Sequence, residues 1–549
     1  MDYEALAELL FGDIDLTPDD IYKMYPERNL PEGALVTRIA PSPTGFVHFG
    51  NLFPAITSER MAHQSGGVFY LRIEDTDAKR EVPGAVEVIM KAFGTFGLNF
   101  DEGATIDGDN GAYGPYRQRQ REKIYKTFAK QLVKEGKAYP CFCSEDELSK
   151  IHEEQEKEKS NFGYFGKWAK CRDLSFDEIK KNIDMGKSFV LRFKSEGNSE
   201  NKIKFKDLVK GEIDLSENDM DHVLLKSDGI PTYHFAHVVD DHLMGTTHVV
   251  RGDEWLSTLP FHLQLFRAIG WRAPKYLHVS PLMKLDGESK RKLSKRKDPE
   301  AALTFYASEG YPSEAVYEYI LTLLNSGFED WRRQNPDVSA RDYKFQYKKM
   351  SVSGALFDIV KLNDVSKNYV SRLSAEKVYD EVATWAEEYD RDFYSLFTRD
   401  KAYTTEILKI GRGGKKPRKD FGIWSEVKGY MDFFFDELFT PDYTFDEKLD
   451  KSDIRAILEE YKDIYSPEDD NNAWFDKIRV LSEKHGFCKD VKAYKENPEG
   501  YKGHVGDVSM ILRVAVCGRT NSPDMYSVFK ILGKERLTER IDRALKEIK

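Results

Sequence analysis

One stretch near the N-terminus combines residue types that suit the binding of a phosphate group. It runs Ala40-Pro41-Ser42-Pro43-Thr44-Gly45-Phe46-Val47-His48-Phe49-Gly50-Asn51. The prolines stiffen a turn, and a helix is predicted directly after it, so unpaired backbone N–H groups and the positive end of the helix dipole would face a ligand. His48 offers a donor, and Gly50 lets a flat ring or a phosphate approach the backbone. A capping turn with a surface histidine is the alternative.

A second stretch, far downstream, concentrates positive charge. It places Lys292, Lys295 and Arg296 within five residues, with Ser294 between them, after the glycine-containing turn Asp286-Gly287-Glu288. Cations on a mobile loop can close over a polyphosphate and stabilise the charge that develops during phosphoryl or nucleotidyl transfer. An ordinary basic surface loop is the alternative.

Short patterned segments are predicted to position both motifs. Residues 34–40 read as a strand, a helix is favoured from about Asn51 to Gly66-Gly67, and residues 68–73 read as the next strand. This order predicts a parallel α/β sheet, with the ligand site at the carboxyl ends of its strands. Further strand-like runs cover residues 233–239, 248–251 and 278–279.

The whole chain reads as an α/β protein with a Rossmann-type parallel-sheet catalytic domain, split by an insertion and followed by an all-α C-terminal region. Its 549 residues suit roughly three or four domains. The predicted segments are an N-terminal extension (1–33), a first catalytic half (34–118), an inserted module (119–225), a second catalytic half (226–288), a region with the lysine loop (289–385) and a helical domain (386–549).

Composition places the chain among globular proteins of a reducing compartment. Apolar residues make up 40% and charged residues 32%, and no run approaches the ~18 apolar residues that a membrane helix needs. The N-terminus is acidic, whereas a secretory signal is basic and then apolar, so we expect no export and a cytoplasmic location. Five cysteines are too few and too scattered for a disulfide framework.

The charge distribution bears on nucleic-acid binding. A net charge of −11 argues mildly against it, but binding needs only a local positive surface. Residues 290–297 and 411–419 are such basic segments. Each taken alone is more often a solvated loop.

Together, the two motifs resemble the paired signatures of class I aminoacyl-tRNA synthetases. His48-Phe49-Gly50-Asn51 resembles the His-Ile-Gly-His element, and Lys292-Leu293-Ser294-Lys295-Arg296 resembles the Lys-Met-Ser-Lys-Ser element. Their order, and their separation by an inserted module, also fit that class. The pair is far more specific than either member.

The flanking residues narrow the resemblance to glutamyl-tRNA synthetases, from about residue 34 to the C-terminus. Glutaminyl relatives carry Glu-Pro-Asn where this chain has Ser42-Pro43-Thr44, which weighs against glutamine. The stretches similar to the glutamyl family are Arg38-Ile39-Ala40-Pro41-Ser42-Pro43-Thr44-Gly45, Leu71-Arg72-Ile73-Glu74-Asp75-Thr76-Asp77, Pro231-Thr232-Tyr233-His234, Val238-Val239-Asp240-Asp241-His242-Leu243-Met244-Gly245, Arg251-Gly252-Asp253-Glu254-Trp255, Leu512-Arg513-Val514-Ala515 and Leu532-Gly533-Lys534-Glu535-Arg536.

The resemblance implies an ATP-dependent attachment of L-glutamate to tRNA(Glu) through a glutamyl adenylate, with Mg²⁺ and, we expect, a monomer. It implies that 119–225 binds the acceptor end, 289–385 the stem and 386–549 the anticodon. The catalytic residues would be His48, Lys292 and Lys295. Those for ATP would be His48, Gly50, Asn51, Glu254, Lys292, Ser294, Lys295 and Arg296. Those for glutamate would be Arg38, Ala40, Ser42, Glu74, Tyr233, His237 and Arg251. Asn51 and His237 depart from the family, which often has histidine and asparagine there.

A charge count supports the substrate independently. Glutamate brings two carboxylates and one ammonium, and a dry pocket should answer with two cations and one anion, because unpaired buried charges are costly. Arg38, Arg251 and Glu74 supply that set. Arginine suits a carboxylate because its fork binds both oxygens. Which arginine takes the side-chain carboxylate stays open, as does the charging of tRNA(Gln).

Three cysteines raise the question of zinc. Cys141-Phe142-Cys143 with Cys171 resembles the zinc knuckle of some relatives, where a histidine follows or a tyrosine precedes the last cysteine. Here Arg172-Asp173 follows, and Lys167 stands at the tyrosine position. A structural zinc needs four ligands, so we predict no metal ligand and leave zinc or reduced structural cysteines as alternatives.

Three other functions compete with charging of tRNA. A paralogue that glutamylates a modified tRNA base would lack the C-terminal region present here. A small-molecule adenylyltransferase would have no need of Arg38, Glu74 and Arg251 in one pattern. A non-enzymatic RNA-binding descendant could dispense with His48 and Lys295, and both are present.

Overall fold

In a computed structural model, the chain is described over residues 1–43, 47–77, 81–294 and 296–548. It divides into two compact units, one formed by 1–305 and 317–358 and the other by 306–316 and 359–549. Among the predicted site residues, Lys295 lies outside the described residues. The predicted domain boundaries inside each unit stay predictions.

The first unit mixes helices and strands. Along the chain they are α1 Tyr3–Phe11, α2 Pro18–Met24, β1 Val36–Ile39, α3 Leu52–Gln64, β2 Val68–Leu71, α4 Ala85–Thr95, β3 Glu102–Ala104, β4 Asp109–Asn110, α5 Glu122–Lys134, β5 Ala138–Cys141, α6 Glu145–Lys157, α7 Phe176–Asp184, β6 Val190–Phe193, β7 Lys202–Asp207, β8 Gly211–Ser216, β9 Val223–Leu225, α8 Tyr233–Leu243, β10 His248–Gly252, α9 Leu259–Ile269, β11 Lys275–Val279, β12 Met283–Asp286, β13 Ser289–Lys292, α10 Leu303–Glu309, α11 Ser313–Leu324 and α12 Phe328–Gln334. The ends of α10 and the start of α11 belong to the second unit.

The centre of this unit is a parallel sheet. β1 pairs in parallel with β2, β2 with β3, and β10 with β11. The Thr247 N–H donates to the Val36 carbonyl at 2.9 Å, so β10 lies beside β1. The sheet thus continues from β1 to β2 and β3 on one side, and from β10 to β11 on the other. The boundary between β1 and β10 is a topological switch point, where ligands bind in such sheets. The predicted fold class is confirmed.

One predicted strand is wrong, because residues 233–239 form the start of helix α8. Pro231 and Thr232 precede the helix, and eight of its residues are buried, so apolar side chains lie on nearly every face. A helix buried all round gives a continuous apolar run, which sequence periodicity does not separate from a buried strand. The predicted strands at 248–251 and 278–279 correspond to β10 and β11.

Residues 1–33 pack against the rest of the first unit. Helix α1 lies against α5, where Lys130 pairs with Glu8 at 2.9 Å and Lys134 pairs with Glu4 at 2.7 Å. Arg28 binds both carboxylate oxygens of Glu102, at 2.9 and 2.8 Å. The regular structure of this segment consists of the helices α1 and α2.

Strands within residues 138–225 form two antiparallel sheets in the first unit. β6 lies between β5 and β9 in one of them, and β7 pairs with β8 in the other. Among the described residues, no helix combines the length and the apolar character that crossing a lipid bilayer requires.

The second unit is helical, as predicted, around a core of buried aromatic and aliphatic side chains. A kink interrupts its last helix at Gly533, whose φ of +76° favours glycine. The helices are α13 Ile359–Arg372, α14 Ala375–Tyr389, α15 Arg391–Thr398, α16 Lys401–Lys409, α17 Ser425–Met431, α18 Lys451–Ile464, α19 Asn471–Lys484, α20 Val491–Glu496, α21 Val505–Cys517 and α22 Met525–Glu547.

Candidate active site

A cavity of about 610 Å³ opens at the switch point of the sheet. The residues that line it follow the carboxyl ends of β1, β10 and β11, as expected for this architecture. Most of the predicted site residues meet here. Those that line the cavity are Arg38, Ala40, Ser42, His48, Gly50, Asn51, Glu74, Tyr233, Arg251, Glu254 and Lys292.

His48 is held by a compact turn that leads into α3. The Gly50 N–H donates to His48 Nδ1 at 3.0 Å, and the His48 N–H donates to Asn51 Oδ1 at 2.9 Å. Because Nδ1 accepts, a neutral imidazole carries its proton on Nε2, which makes the ring a donor. A Cβ atom on residue 50 would stand 3.2 Å from His48 Nδ1, so glycine keeps this ring in place. Sequence reasoning had assigned Gly50 to the approach of a ligand.

The lysine loop begins on the hairpin of β12 and β13, where Lys292 lines the cavity. Leu293 is buried, and its N–H donates to the Leu282 carbonyl at 2.9 Å. Ser294 and Arg296 are not among the described residues that line the cavity, and Arg296 is exposed. Their assignment to ATP stays a prediction, as does that of Lys295.

An aspartate that sequence reasoning missed holds the base of this loop. Asp298 accepts from Arg291 at 2.6 and 2.8 Å, from the Ser294 N–H at 2.9 Å and from Lys284 at 3.2 Å. The bonds from Arg291 hold the pKa of Asp298 well below its usual range, against the effect of burial. The mixture of basic and acidic residues along 284–298 was the sequence feature that could have indicated this ion cluster.

A buried ion network lies behind the part of the cavity that Arg38 and Glu74 line. Arg38 Nε donates to Asp241 at 3.2 Å, Arg72 Nη1 donates to Asp241 at 2.6 Å, and Arg72 Nη2 donates to Glu74 at 3.0 Å. Burial alone would raise the pKa of Asp241, but the charges of Arg38 and Arg72 outweigh it and hold that pKa well below its ordinary value. Burial raises the pKa of Glu74 despite the opposing effect of Arg72 and Arg38.

Arg72 and Asp241 add one positive and one negative charge to the set of Arg38, Arg251 and Glu74, so the net charge of the group does not change. The cations are Arg38, Arg72 and Arg251, and the anions are Glu74 and Asp241, so this group carries a net charge of +1. A zwitterionic ligand with two carboxylates and one ammonium would neutralise it. Both missed residues stand inside the motifs, and the spacing of His237 and Asp241, four apart on one helix face, was the signal for the aspartate.

Aromatic rings close one side of the cavity. The ring centre of Tyr233 lies 4.3 Å from that of Trp255 and 5.7 Å from that of His237, which it stacks in parallel. His237 is fully buried behind Tyr233, and its Nδ1 is 2.8 Å from Asp241 Oδ2. Direct contact of His237 with glutamate therefore stays a prediction, whereas its contact with residues behind the cavity is observed.

Three cysteines of the first unit form a cluster. The sulfur atoms of Cys141, Cys143 and Cys171 lie within 4.8 Å of one another, and the Tyr164 hydroxyl is 3.2 Å from Cys143 Sγ. Three thiols and a phenol oxygen match in number the ligands of a structural zinc. Sequence reasoning missed Tyr164 because it stands seven residues before Cys171. The prediction of no metal ligand is untested, and one zinc per purified chain would contradict it.

Comparison with protein families matches most of the chain. Residues 34–364 match the model of class I tRNA synthetases (E and Q), catalytic domain, and residues 418–545 match an anticodon binding domain. The first match begins where the N-terminal extension was predicted to end.

Two curated relatives are similar over their full length. A glutamate–tRNA ligase of Clostridium perfringens (strain 13 / Type A) is 50% identical over 546 residues, which cover 98% of this chain and 100% of the relative. A glutamate–tRNA ligase of Acetivibrio thermocellus is 50% identical over 548 residues, with coverage of 99% and 100%. Among solved structures, a glutamate tRNA ligase from Elizabethkingia meningosepticum in complex with its amino acid has a TM-score of 0.76 and 28% identity, and covers 94% of this chain and 100% of that one.

Proposed function

We propose, because this chain belongs to the class I tRNA synthetases for glutamate and glutamine, that it attaches L-glutamate to tRNA(Glu) at the expense of ATP. The observation that carries this proposal is the cavity at the switch point. It joins a cationic amino-acid end with a net charge of +1 to a nucleotide end that holds His48 and Lys292.

Glutamate binds with its two carboxylates toward Arg38 and Arg251 and with its ammonium toward Glu74. Glu74 can take this role because Arg72, which donates to it, also donates to Asp241. The Tyr233 hydroxyl and Ser42 add neutral hydrogen bonds from the cavity wall. A glutamine amide would leave one arginine poorly paired, which gives the site its preference for the acid.

ATP binds across the turn at His48 and the end of β13. His48, as an Nε2 donor, holds a phosphate oxygen, and Glu254 binds the ribose or the adenine. The α-carboxylate of glutamate attacks the α-phosphorus in line, the bond to the β-phosphate oxygen breaks, and pyrophosphate leaves. Lys292 and Lys295 stabilise the charge that grows on this leaving group.

Mg²⁺ would enter with the phosphates of ATP, where it neutralises their charge. The cavity offers Asp77 as a carboxylate on its wall, and carboxylate oxygens are ligands that Mg²⁺ prefers.

In the second step, a terminal ribose hydroxyl of the tRNA attacks the carbonyl carbon of the glutamyl adenylate, and AMP leaves. The match of residues 418–545 to an anticodon binding domain supports recognition of tRNA by the second unit. The basic segment 411–419 provides backbone contacts. We propose that the enzyme acts in the cytoplasm as a monomer.

Aminoacylation of separately transcribed glutamate and glutamine tRNAs with labelled glutamate tests this function. We expect charging of glutamate tRNA by the full chain with ATP and Mg²⁺. Lys292→Ala should lower kcat by about 100-fold, as loss of a cation at a developing charge does. Lys290→Ala is the matched control, because Lys290 is exposed on the same strand and does not line the cavity.

Each outcome has a distinct meaning. Charging of both tRNAs would keep the chemistry and make the enzyme non-discriminating. Equal losses in both lysine variants would remove the specific role of Lys292. No charging by the unaltered chain would overturn the proposed function.

A further inference from the structure

Three donor groups of Arg251 are already occupied by protein atoms. Its Nε donates to His278 Nε2 at 3.0 Å, its Nη1 lies 3.1 Å from His262 Nδ1, and its Nη2 donates to the Trp255 carbonyl at 3.3 Å. Arginine has five N–H donors and no acceptor, so two donors remain. Arg251 is only 5% exposed and lines the cavity, which is where those two donors can act.

Both histidines must accept from Arg251, because arginine only donates. His278 Nδ1 lies 2.7 Å from Asp207 Oδ2, so its proton sits on Nδ1 and its Nε2 lone pair faces Arg251. A cationic His278 would set an N–H against the N–H of Nε. The lone pair of His278 therefore fixes the rotation of the guanidinium.

His262 reaches the same state through a different partner. Its Nδ1 accepts from Arg251, so a neutral ring carries its proton on Nε2, which lies 2.9 Å from His234 Nδ1. The protons thus run in one direction, from Arg251 to His262 to His234. His262 and His278 are both fully buried, and burial lowers the pKa of each ring, which favours the neutral form.

The backbone of the surrounding elements fixes the positions of Arg251 and its two histidine partners. Arg251 on β10 is the strand partner of His278 on β11, and His262 approaches from α9. Asp207, at the end of β7, is itself held by the N–H groups of Val209 and Lys210, at 2.9 and 2.8 Å. The guanidinium also lies over the ring of Tyr276, 4.8 Å from its centre.

We propose that His262 and His278 are positioning residues for substrate recognition: as neutral acceptors they orient Arg251 so that its two remaining donors form a fork for one carboxylate of glutamate. This inference deepens the proposed function and rests on it. Neither histidine lines the cavity, so each acts through Arg251. An arginine held by acceptors on two sides loses little side-chain entropy when the carboxylate arrives.

Isosteric pairs of variants test the role of the acceptors. His262→Leu removes the acceptor, and His262→Asn has nearly the same shape but keeps an amide oxygen that can accept from Arg251. We expect the KM for glutamate to rise at least tenfold in His262→Leu, with kcat and the KM for ATP changed less than about threefold, and His262→Asn to recover most of the loss. His278→Met and His278→Gln form a second pair, should the first reduce folding.

His242→Leu controls for the loss of a buried ring. His242 stacks on Trp271 at 4.0 Å and has no contact with Arg251, so its KM for glutamate should stay unchanged. If both members of each pair raise the KM equally, or if neither does, the acceptor role is overturned. Calorimetric titration with glutamate distinguishes failure of the positioning role from failure of the proposed function. If the unaltered chain binds glutamate but charges no tRNA, and His262→Leu alone loses the glutamate affinity, the proposed function is wrong and the positioning role stands. A chain that does not bind glutamate at all overturns both.

Discussion

Two neighbouring aspartates of helix α8 are both buried, yet they hold different kinds of network. Asp241 faces Arg38 and Arg72 beside the cavity, and Asp240 faces away from it. Asp240 accepts from Arg121 Nε at 2.7 Å, from Gln118 at 2.8 Å and from Tyr125 at 2.8 Å. Among the described residues, none of these three donors lines the cavity.

The difference lies in what each network leaves for a ligand. The donors to Asp240 come from α5 and from the residues just before it, so they join this segment to α8. The network of Asp241 is open, because Arg38 and Glu74 belong to it and also line the cavity. Burial of a charge therefore does not identify function, whereas contact between a buried pair and a cavity does. The region around Asp241 should control activity, and that around Asp240 stability.

The largest expected effect comes from Asp241→Asn. This change removes the carboxylate that Arg38 and Arg72 share, so that Arg72 keeps only Glu74 and the longer contact of 3.8 Å with Asp240. Breaking such a buried pair costs about 3–5 kcal/mol. We expect kcat/KM for glutamate to fall by about 100-fold or more in the aminoacylation assay. Asp240→Asn is the matched variant.

Asp240→Asn should reduce stability as much as Asp241→Asn does, but it should leave activity nearly unchanged. Its melting temperature should fall as far as that of Asp241→Asn, because both break a buried ion pair. The kcat/KM of the folded fraction should stay within about fivefold of the unaltered enzyme. Equal losses of activity in the two variants would contradict the division into an open and a closed network.

A second, smaller effect is expected from Glu74→Gln. The neutral amide keeps the shape but loses the charge that meets the ammonium group, and a hydrogen bond between charged groups contributes about 1.5–3 kcal/mol. We expect the KM for glutamate to rise by roughly 30-fold, with the KM for ATP unchanged. Asp75→Asn is the control, since Asp75 accepts from the Arg119 N–H and does not line the cavity. A larger rise of the KM for glutamate in Asp75→Asn than in Glu74→Gln would contradict the assignment of Glu74 to the ammonium group.

A third effect concerns pH, because histidines gather on the Asp241 side. Burial lowers the pKa of His234 and of His237 to about 4, from an ordinary value of 6.5, and the pKa of His262 and of His278 is lowered too. Unfolding lets each ring take up a proton below pH 6.5. The free energy of unfolding contributed by these rings is therefore fully present above pH 6.5 and is lost as the pH falls below it, by about 1.4 kcal/mol per pH unit for each ring that stays neutral in the folded chain. For His234 and His237 this loss continues toward pH 4.

Denaturant unfolding at pH 7.5, 6.5 and 5.5 measures this slope. His262→Asn removes one titrating ring and should reduce the slope between pH 6.5 and 5.5 by about one proton. Asp240→Asn should leave the slope unchanged, since the side chains that donate to Asp240 are those of Gln118, Arg121 and Tyr125, none of which is a histidine. An unchanged slope in His262→Asn would mean that this ring is already protonated in the folded chain.

The same comparison shows what sequence could predict. The strand–turn–helix order around His48 predicted the parallel sheet and the cavity, because local patterns determine both. The side chains that the motifs place at strand ends, such as Arg38 and Arg251, were found for the same reason. The chain positions of Asp241 and Asp240 are equivalent in sequence, so only the packing of α8 decides which one faces the cavity.

Other misses have the same physical origin. Residues 233–239 are buried on nearly every face, and such a run carries no helical period. His262 lies on helix α9 and His278 on strand β11, so neither is next to Arg251 in the sequence. Their proposed role as acceptors depends on the tautomer of each ring, which only the contacts in the folded chain determine. The N-terminal extension gave no chemical pattern, and its function of bracing the core emerged from contacts such as that of Tyr25.

The smallest expected effect tests whether the two networks are independent. The Tyr25 hydroxyl donates to the Gly114 carbonyl at 2.8 Å and lies 3.0 Å from Arg121 Nη1, which supports the Asp240 network from the N-terminal extension. Tyr25→Phe should lower the free energy of unfolding by about 1–3 kcal/mol, because it removes two hydrogen bonds that contribute about 0.5–1.5 kcal/mol each. Tyr22→Phe, which removes only an exposed hydrogen bond that Trp271 Nε1 donates, should lower it less. Neither should change the KM for glutamate. A raised KM in Tyr25→Phe alone would show that the networks are coupled, and the contact of 3.8 Å between Arg72 Nε and Asp240 Oδ2 would be the route.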